Sequence, residues 1–447
     1  PQNDVRIERH NIQSYAGTRE TNPLSIVIRN MGAANVNSLG VTLTVDGEKL
    51  PMRVIEGLDI ASNDMQVVNI GDLNMTSNNI FDVDVDINEV NGEADERPDD
   101  NVITVKNIIS RKDYTARKVL FEHFSTMQCA NCPSAHAAID DALRYRDNVI
   151  HVIYHAGFKT DALTIPEAET YMQLFTNGQT GSYYAPAGAL DRVNMANYGA
   201  TDGNRSTDCP AFFPRRETLG RLIDTRLSAA ALVTVNINHS YDPATRRLTA
   251  TVSGTVPNGS SSRLGANDPR LTVMVTEDSI EGTQKGVTVP MEGPYIHNRA
   301  LRAVMSNVWG ESVKFDGADY ASREFSITIP KEWNDSHLRL VAFMHDYDAT
   351  STANWQVFNA DEVIVDHPAG ISPVISDNRD FDIAIIDGQI ILPTDARDVR
   401  IFTIDGRLAD CISAPAECIP TCKFTKGIYI ITAQTAKGLQ HTKIAIP

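Results

Sequence analysis

At 447 residues the chain is too long for one compact core, and its length corresponds to about three domains. A formal net charge of −17 argues against a nucleic-acid backbone or an anionic membrane surface as partner, because both require clustered Lys and Arg. No apolar run approaches the roughly 18 residues that a membrane-spanning helix needs, so no transmembrane segment is expected. The polar start PQNDVRIERH lacks an initiator Met and suits a processed or a truncated N-terminus, the former compatible with removal of a secretion signal. Six cysteines are too few for a disulfide-dense scaffold, yet Cys129 with Cys132, and the trio Cys411, Cys418 and Cys422, suit an oxidising compartment.

Taken in chain order, four domains are expected. Residues 1–108 carry short alternating runs (PLSIVIRN, VTLTVDG, MQVVNIGDL, NIFDVDVDI, NVITVKNI) broken by turn residues, the pattern of an antiparallel β-sandwich. In FDVDVDI alternate Asp residues face solvent. The calcium-loop reading of that run lacks the Gly and Glu it requires. Residues 109–228 alternate buried strands (KVLFEHF, NVIHVIYHAG) with helical segments (SAHAAIDDALRYR, PEAETYMQLF, RRETLGRLIDTRLSAA), which predicts an α/β domain. Strand patterns return over 229–366 and predict a second sandwich, with a short helix around ALRAVM. HPAGISP, residues 367–373, reads as a linker, and 374–447 as a small β-sandwich of five short runs.

The chemistry concentrates at Cys129-Ala130-Asn131-Cys132. The motif follows a strand and opens a helix whose Ala135, Ala138, Ile139, Ala142 and Leu143 share one face. A thiol at a helix start meets unpaired N–H groups and the positive end of the dipole, which lower its pKa from about 8.5 into the range of roughly 3.5–7.5. Strand, CxxC and helix stand in the order of a thioredoxin-like site. In such folds a cis-proline lies beside the disulfide, and Pro186 in SYYAPAGALDRV occupies the matching place, which would offer the backbone of Ala185 to an extended substrate. An ordinary trans-proline is the bland alternative. His123 lies where these enzymes keep a buried proton-transferring group. Strand alternation sends Glu122 to the opposite face, so only one of the two can lie beneath the helix. A hydrogen-bonded core histidine is the other reading of His123.

Cys129, Cys132, His136 and His123 form a candidate four-ligand zinc or copper set. A single CxxC without a second knuckle argues against it, so no metal and no cofactor are expected. His155, at the end of its strand, reads as a rim residue. Trp309, Trp355, Tyr295, His297 and His345 read as core packing before they read as a binding surface.

KVLFEHFSTMQCANCPSAHAAI, APAGALDRV and IHNRALRAVMSNVWGE resemble the outer membrane protein 28-related family of Bacteroidetes over roughly residues 110–366. That resemblance implies a thioredoxin-like domain joined to a β-domain. Residues 1–108 are similar to immunoglobulin-like adhesion modules. The tail, with Gly406-Arg407, Gly427-Ile428-Tyr429 and Lys443-Ile444-Ala445-Ile446 in order, resembles the sorting domain read by the type IX secretion system. This implies that machinery as a partner and a secreted, outer-membrane or cell-surface location. Cys411 and Cys422 could bridge a hairpin within the tail.

Two functions remain open at this point. One is a thiol–disulfide oxidoreductase acting on polypeptides, with Cys129, Cys132, His123 and Pro186 catalytic and Ala185, Ala130 and Asn131 contacting substrate. The other is a non-enzymatic adhesion or binding protein for a surface ligand, with a structural CxxC disulfide.

Overall fold

A computed structural model describes residues 1–18, 21–146, 148–175, 182–201, 209–257, 261–287 and 293–365, and strands within 384–446. It divides into two compact units, Pro1–His367 and Pro368–Pro447. Most of the described chain is β-strand, with three α-helices among the described residues: α1 (Cys132–Leu143), α2 (Pro166–Thr170) and α3 (Arg216–Leu227).

The first unit begins with two sheets sharing one core. One is the antiparallel set Val5–His10, Thr21–Asn30 and Met65–Asn74; the other is built on Val36–Val45, Asn79–Val90 and Val102–Arg111. Period-two alternation explains how they meet. In the Asn79–Val90 strand, Phe81, Val83, Val85 and Ile87 are buried while Asp82, Asp84 and Asp86 are partly exposed. The inward residues join Ile26, Ile28, Val41 and Val68 in a common core.

A long sheet follows, in the order Ala187–Leu190, Val119–Ser125, Val149–His155, Ala300–Val304, Arg270–Glu277, Leu338–His345 and Val357–Ile364. Val119–Ser125 and Val149–His155 are parallel, and Ala187–Leu190 is antiparallel to the first of them. One sheet therefore takes strands from both segments separated in the sequence at about residue 228. The join is the pairing of Ile153 with Ala300.

That join corrects the helix expected around ALRAVM. Ala300–Val304 is a strand, paired on one side with Val149–His155 and on the other with Arg270–Glu277. Ala300 and Leu301 are buried between these neighbours, and this burial outweighs the helix propensity of Ala and Leu.

Helices α1 and α3 cover one face of the first three strands, where Phe121, Ile139, Leu190, Leu219, Leu222 and Ile223 share a core. Fully burying each of these large side chains is worth about 1.5–3 kcal/mol. The opposite face, with Leu120, Phe124, Val152 and Tyr154, packs on Tyr171, Leu174 and Phe175 in the turn that continues α2. Farther along, the sheet packs on a second one built from Asn236–Asp242, Arg247–Thr255 and Asp319–Thr328.

The C-terminal unit contains seven described strands in two sheets, two more strands than the five runs read from the sequence. Its core includes Ile390, Val399, Ile401, Ile419, Tyr429 and Ile431. The Cys411–Cys422 bridge lies outside the described residues, since Cys422 is not among them.

Candidate functional site

The strand Val119–Ser125 ends in a turn, with Cys129 N–H donating to the Thr126 carbonyl at 2.9 Å, and α1 begins at Cys132. Cys129 and Cys132 form a disulfide with a Cα separation of 5.4 Å. The Ala185–Pro186 bond is cis. The Ala185 carbonyl oxygen lies 3.4 Å from Cys129 Sγ. Gly157 permits this approach. It adopts φ +146°, and a Cβ there would lie 3.3 Å from Ala185 Cβ and 3.4 Å from the Tyr184 carbonyl oxygen. Cys129 is 1% exposed and Cys132 0%, whereas Ala130 and Asn131 between them are exposed.

His123 lies on the face covered by α1. Its ring stacks with Phe121 and His151 and meets His136 edge-on, at a centroid separation of 5.1 Å. It is fully buried, and neither ring nitrogen has a hydrogen-bond partner among the described residues. Burial, reinforced by the neighbouring His136, His151 and His155, holds it well below the usual histidine pKa. The hydrogen-bonded core histidine considered for this position is therefore not what the structure contains.

His123 belongs to a row of imidazoles. His136 shares hydrogen bonds with Ser125 Oγ at 2.9 Å and Tyr295 Oη at 2.7 Å. Burial lowers the pKa of His136 to about 4, of His151 to about 3 and of His297 to about 4. His155 contacts Asp161 at 2.9 Å and the ring of His297 at a centroid separation of 5.1 Å. Asp161 also accepts the backbone N–H of Met127 at 2.7 Å and of Leu163 at 2.8 Å, fixing the turn before Cys129. At neutral pH the His123, His136, His151 and His297 rings are uncharged. His136, His151, His155, Tyr295 and His297 line a small cavity of about 60 Å³. No group of three or more His, Cys, Asp or Glu side chains among the described residues is arranged to hold a metal ion.

The other face of the same strand holds paired charges. Buried Glu122 receives Arg192 through Nε at 2.9 Å and Nη2 at 2.7 Å, and Tyr154 Oη donates to it at 2.7 Å. Arg192 also lies over the rings of Tyr171 and Phe343. Neighbouring Asp191 accepts the Leu120 N–H at 2.9 Å and pairs with Arg117 and Arg226. Asp191-Arg192, within the quoted ALDRV, thus anchors the strand that follows Pro186, a role the sequence reading did not assign.

A second element missed in the sequence crosses the CxxC turn. Ile280–Gly282 and Tyr295–His297 form a two-stranded ladder. The chain leaving it lays Gln284 and Lys285 against the turn. Trp309 and Trp355 pack together within the core, at a centroid separation of 4.3 Å.

Residues 183–365 match the family model described as outer membrane protein Omp28. The match includes Pro186 and the Gln284 segment and begins after the two cysteines. It supports an Omp28-related family and is consistent with an outer-membrane or cell-surface location. No curated protein matches the chain. Among solved structures, HBP35 of Porphyromonas gingivalis is similar at 17% identity and TM-score 0.45, covering 74% of this chain and 99% of its own. A domain of the outer membrane lipoprotein Omp28 from Porphyromonas gingivalis is similar at 16% identity and TM-score 0.21, covering 30% and 89%. The CARDB domain of a Pyrococcus furiosus protein, solved in complex with di-metal ions, is similar at 15% identity and TM-score 0.20, covering 25% and 93%.

Proposed function

We propose that the chain is a cell-surface or secreted thiol–disulfide oxidoreductase acting on polypeptides, its site carried by a thioredoxin-like α/β region. The observation that carries the reading is the 3.4 Å approach of the Ala185 carbonyl to Cys129 Sγ, beside cis-Pro186 and at the start of α1. In the exchange, a substrate thiolate attacks Cys129 Sγ. The Cys129–Cys132 bond breaks, and Cys132 leaves as a thiolate. A second substrate thiolate then attacks the substrate sulfur of the mixed disulfide and releases Cys129. Two electrons pass to the protein, and the substrate gains a disulfide. The reverse reaction uses the same atoms. The start of α1 stabilises the departing thiolate, and His123, neutral and without a competing hydrogen bond, accepts or returns the proton. Ala185 pairs with the substrate backbone, and exposed Ala130 and Asn131 contact it.

Around this site, residues 1–108 serve as an immunoglobulin-like spacer. Residues 374–447 serve as the sorting domain for type IX secretion. The test is Cys132→Ser: a substrate polypeptide is expected to accumulate on Cys129 as a mixed disulfide that dithiothreitol releases. Recovery of no adduct from a surface proteome would overturn the enzyme.

The burial of both sulfurs favours the second reading, a surface binding protein with a structural disulfide. A pair that stays oxidised in thiol buffers poised below about −300 mV would establish it.

A further inference from the structure

In this structure another part of the chain lies against the turn that carries Cys129. Gln284 Nε2 donates to the carbonyl oxygens of Cys129 at 2.9 Å and Thr126 at 3.2 Å, and Lys285 N–H donates to that of Met127 at 2.9 Å. Gly286, at φ +86°, lies so close to the turn that a Cβ there would be 2.0 Å from the Ala130 carbonyl oxygen. Gly282 is held likewise, with a Cβ position 3.2 Å from the Met127 methyl. The segment occupies the backbone acceptors that flank the reactive sulfur, and its outer side is exposed at Lys285 and Gly286.

We propose that residues 283–287 are an internal gate that occupies the polypeptide-docking groove of the disulfide and must be displaced before Cys129 can react. This inference rests on the redox reading above. Its occupant, when open, is an extended polypeptide whose backbone N–H groups replace the Gln284 amide and the Lys285 N–H on the carbonyls of Thr126, Met127 and Cys129. Exchange of one set of N–H donors for another leaves those acceptors satisfied in both states.

Two features suit the segment to opening. Gln284 Oε1 is buried without a hydrogen-bond partner among the described residues, an unmet acceptor that offsets part of what its amide gains. Gly286 sits in left-handed backbone, where other residues are strained. On the return strand, Tyr295 bonds His136 of α1 at 2.7 Å, so the base of the gate stays fixed to the helix that Cys132 begins.

The test is the rate at which dithiothreitol reduces Cys129–Cys132 in the full chain, read by alkylation and mass. It compares the unaltered protein with Gly286→Ala, which clashes with Ala130, and Gln284→Ala, which only removes hydrogen bonds. Circular dichroism checks that each variant keeps its fold. Gly286→Ala is expected to react at least tenfold faster and Gln284→Ala several-fold faster, with reoxidation accelerated equally and the reduction potential unmoved. Equal rates in all three proteins would overturn the gate. So would faster reduction with an equally shifted potential, which would make the segment a stabiliser of the disulfide. The two proposals fail separately. If Cys132→Ser combined with Gly286→Ala captures no polypeptide although Gly286→Ala accelerates reduction, the gate stands and the oxidoreductase falls.

Discussion

Glu122 and His123 are consecutive residues on one strand, both fully buried, and their two faces obey opposite rules. Glu122 meets Arg192 and Tyr154. His123 has no hydrogen-bond partner among the described residues and is held neutral. The first arrangement joins strands; the second leaves an unpartnered imidazole against His136 of the helix that Cys132 begins. A buried polar group without partners costs free energy, and such groups collect where chemistry is done.

The largest effect should come from breaking the ion-paired side. Arg192→Ala leaves Glu122 buried and unpaired, and is expected to cost about 3–5 kcal/mol in urea unfolding. Replacing Glu122 as well should recover part of that loss, since no lone charge then remains. A double variant as unstable as Arg192→Ala alone would show that the arginine acts through packing over Tyr171 and Phe343 instead.

An intermediate effect is expected from pH on the imidazole side. His136, His151 and His297 have folded pKa values lowered to about 4, 3 and 4, below the unfolded value near 6.5. Between these limits the unfolded chain binds more protons, so stability rises with pH across the window and is lost as pH falls from about 6.5 toward 4. From pH 7 to 5 each of these rings should lose on the order of 1–2 kcal/mol, measured by denaturant unfolding of the first unit. Asp161 acts lower. Burial raises its pKa, but the hydrogen bonds from His155, Met127 and Leu163 prevail and bring it to about 2. Its contribution is full above the unfolded value near 3.9 and is lost as pH falls from there toward 2.

The smallest stability change should follow His123→Leu. The variant removes a buried ring that makes no hydrogen bond and inserts an apolar side chain of similar volume, so less than about 1 kcal/mol is expected in the same assay. The pH profile of disulfide exchange should nevertheless change. An unchanged profile would assign proton transfer to another group.

The sequence disclosed what is local. A two-residue period fixed which side of the strand His123 faces, and the CxxC motif marked the start of α1. Distant partners had no such mark. Arg192 lies 70 residues from Glu122, and Gln284 lies 155 residues from Cys129. Nothing in the composition of GTQKG announces contact with the CxxC turn. ALRAVM misled because Ala and Leu favour helices in isolation, whereas here the sheet supplies partners on both sides of Ala300. Both cysteines of the CxxC are buried, so a motif that reads as reactive in sequence is found enclosed.

The most direct test of the central claim is the reduction potential of the Cys129–Cys132 pair, obtained by equilibrating the full chain in graded thiol/disulfide buffers and counting alkylated cysteines by mass. An exchange catalyst should give a value between about −120 and −270 mV. A pair still closed below about −300 mV would contradict the account and leave the disulfide a structural brace.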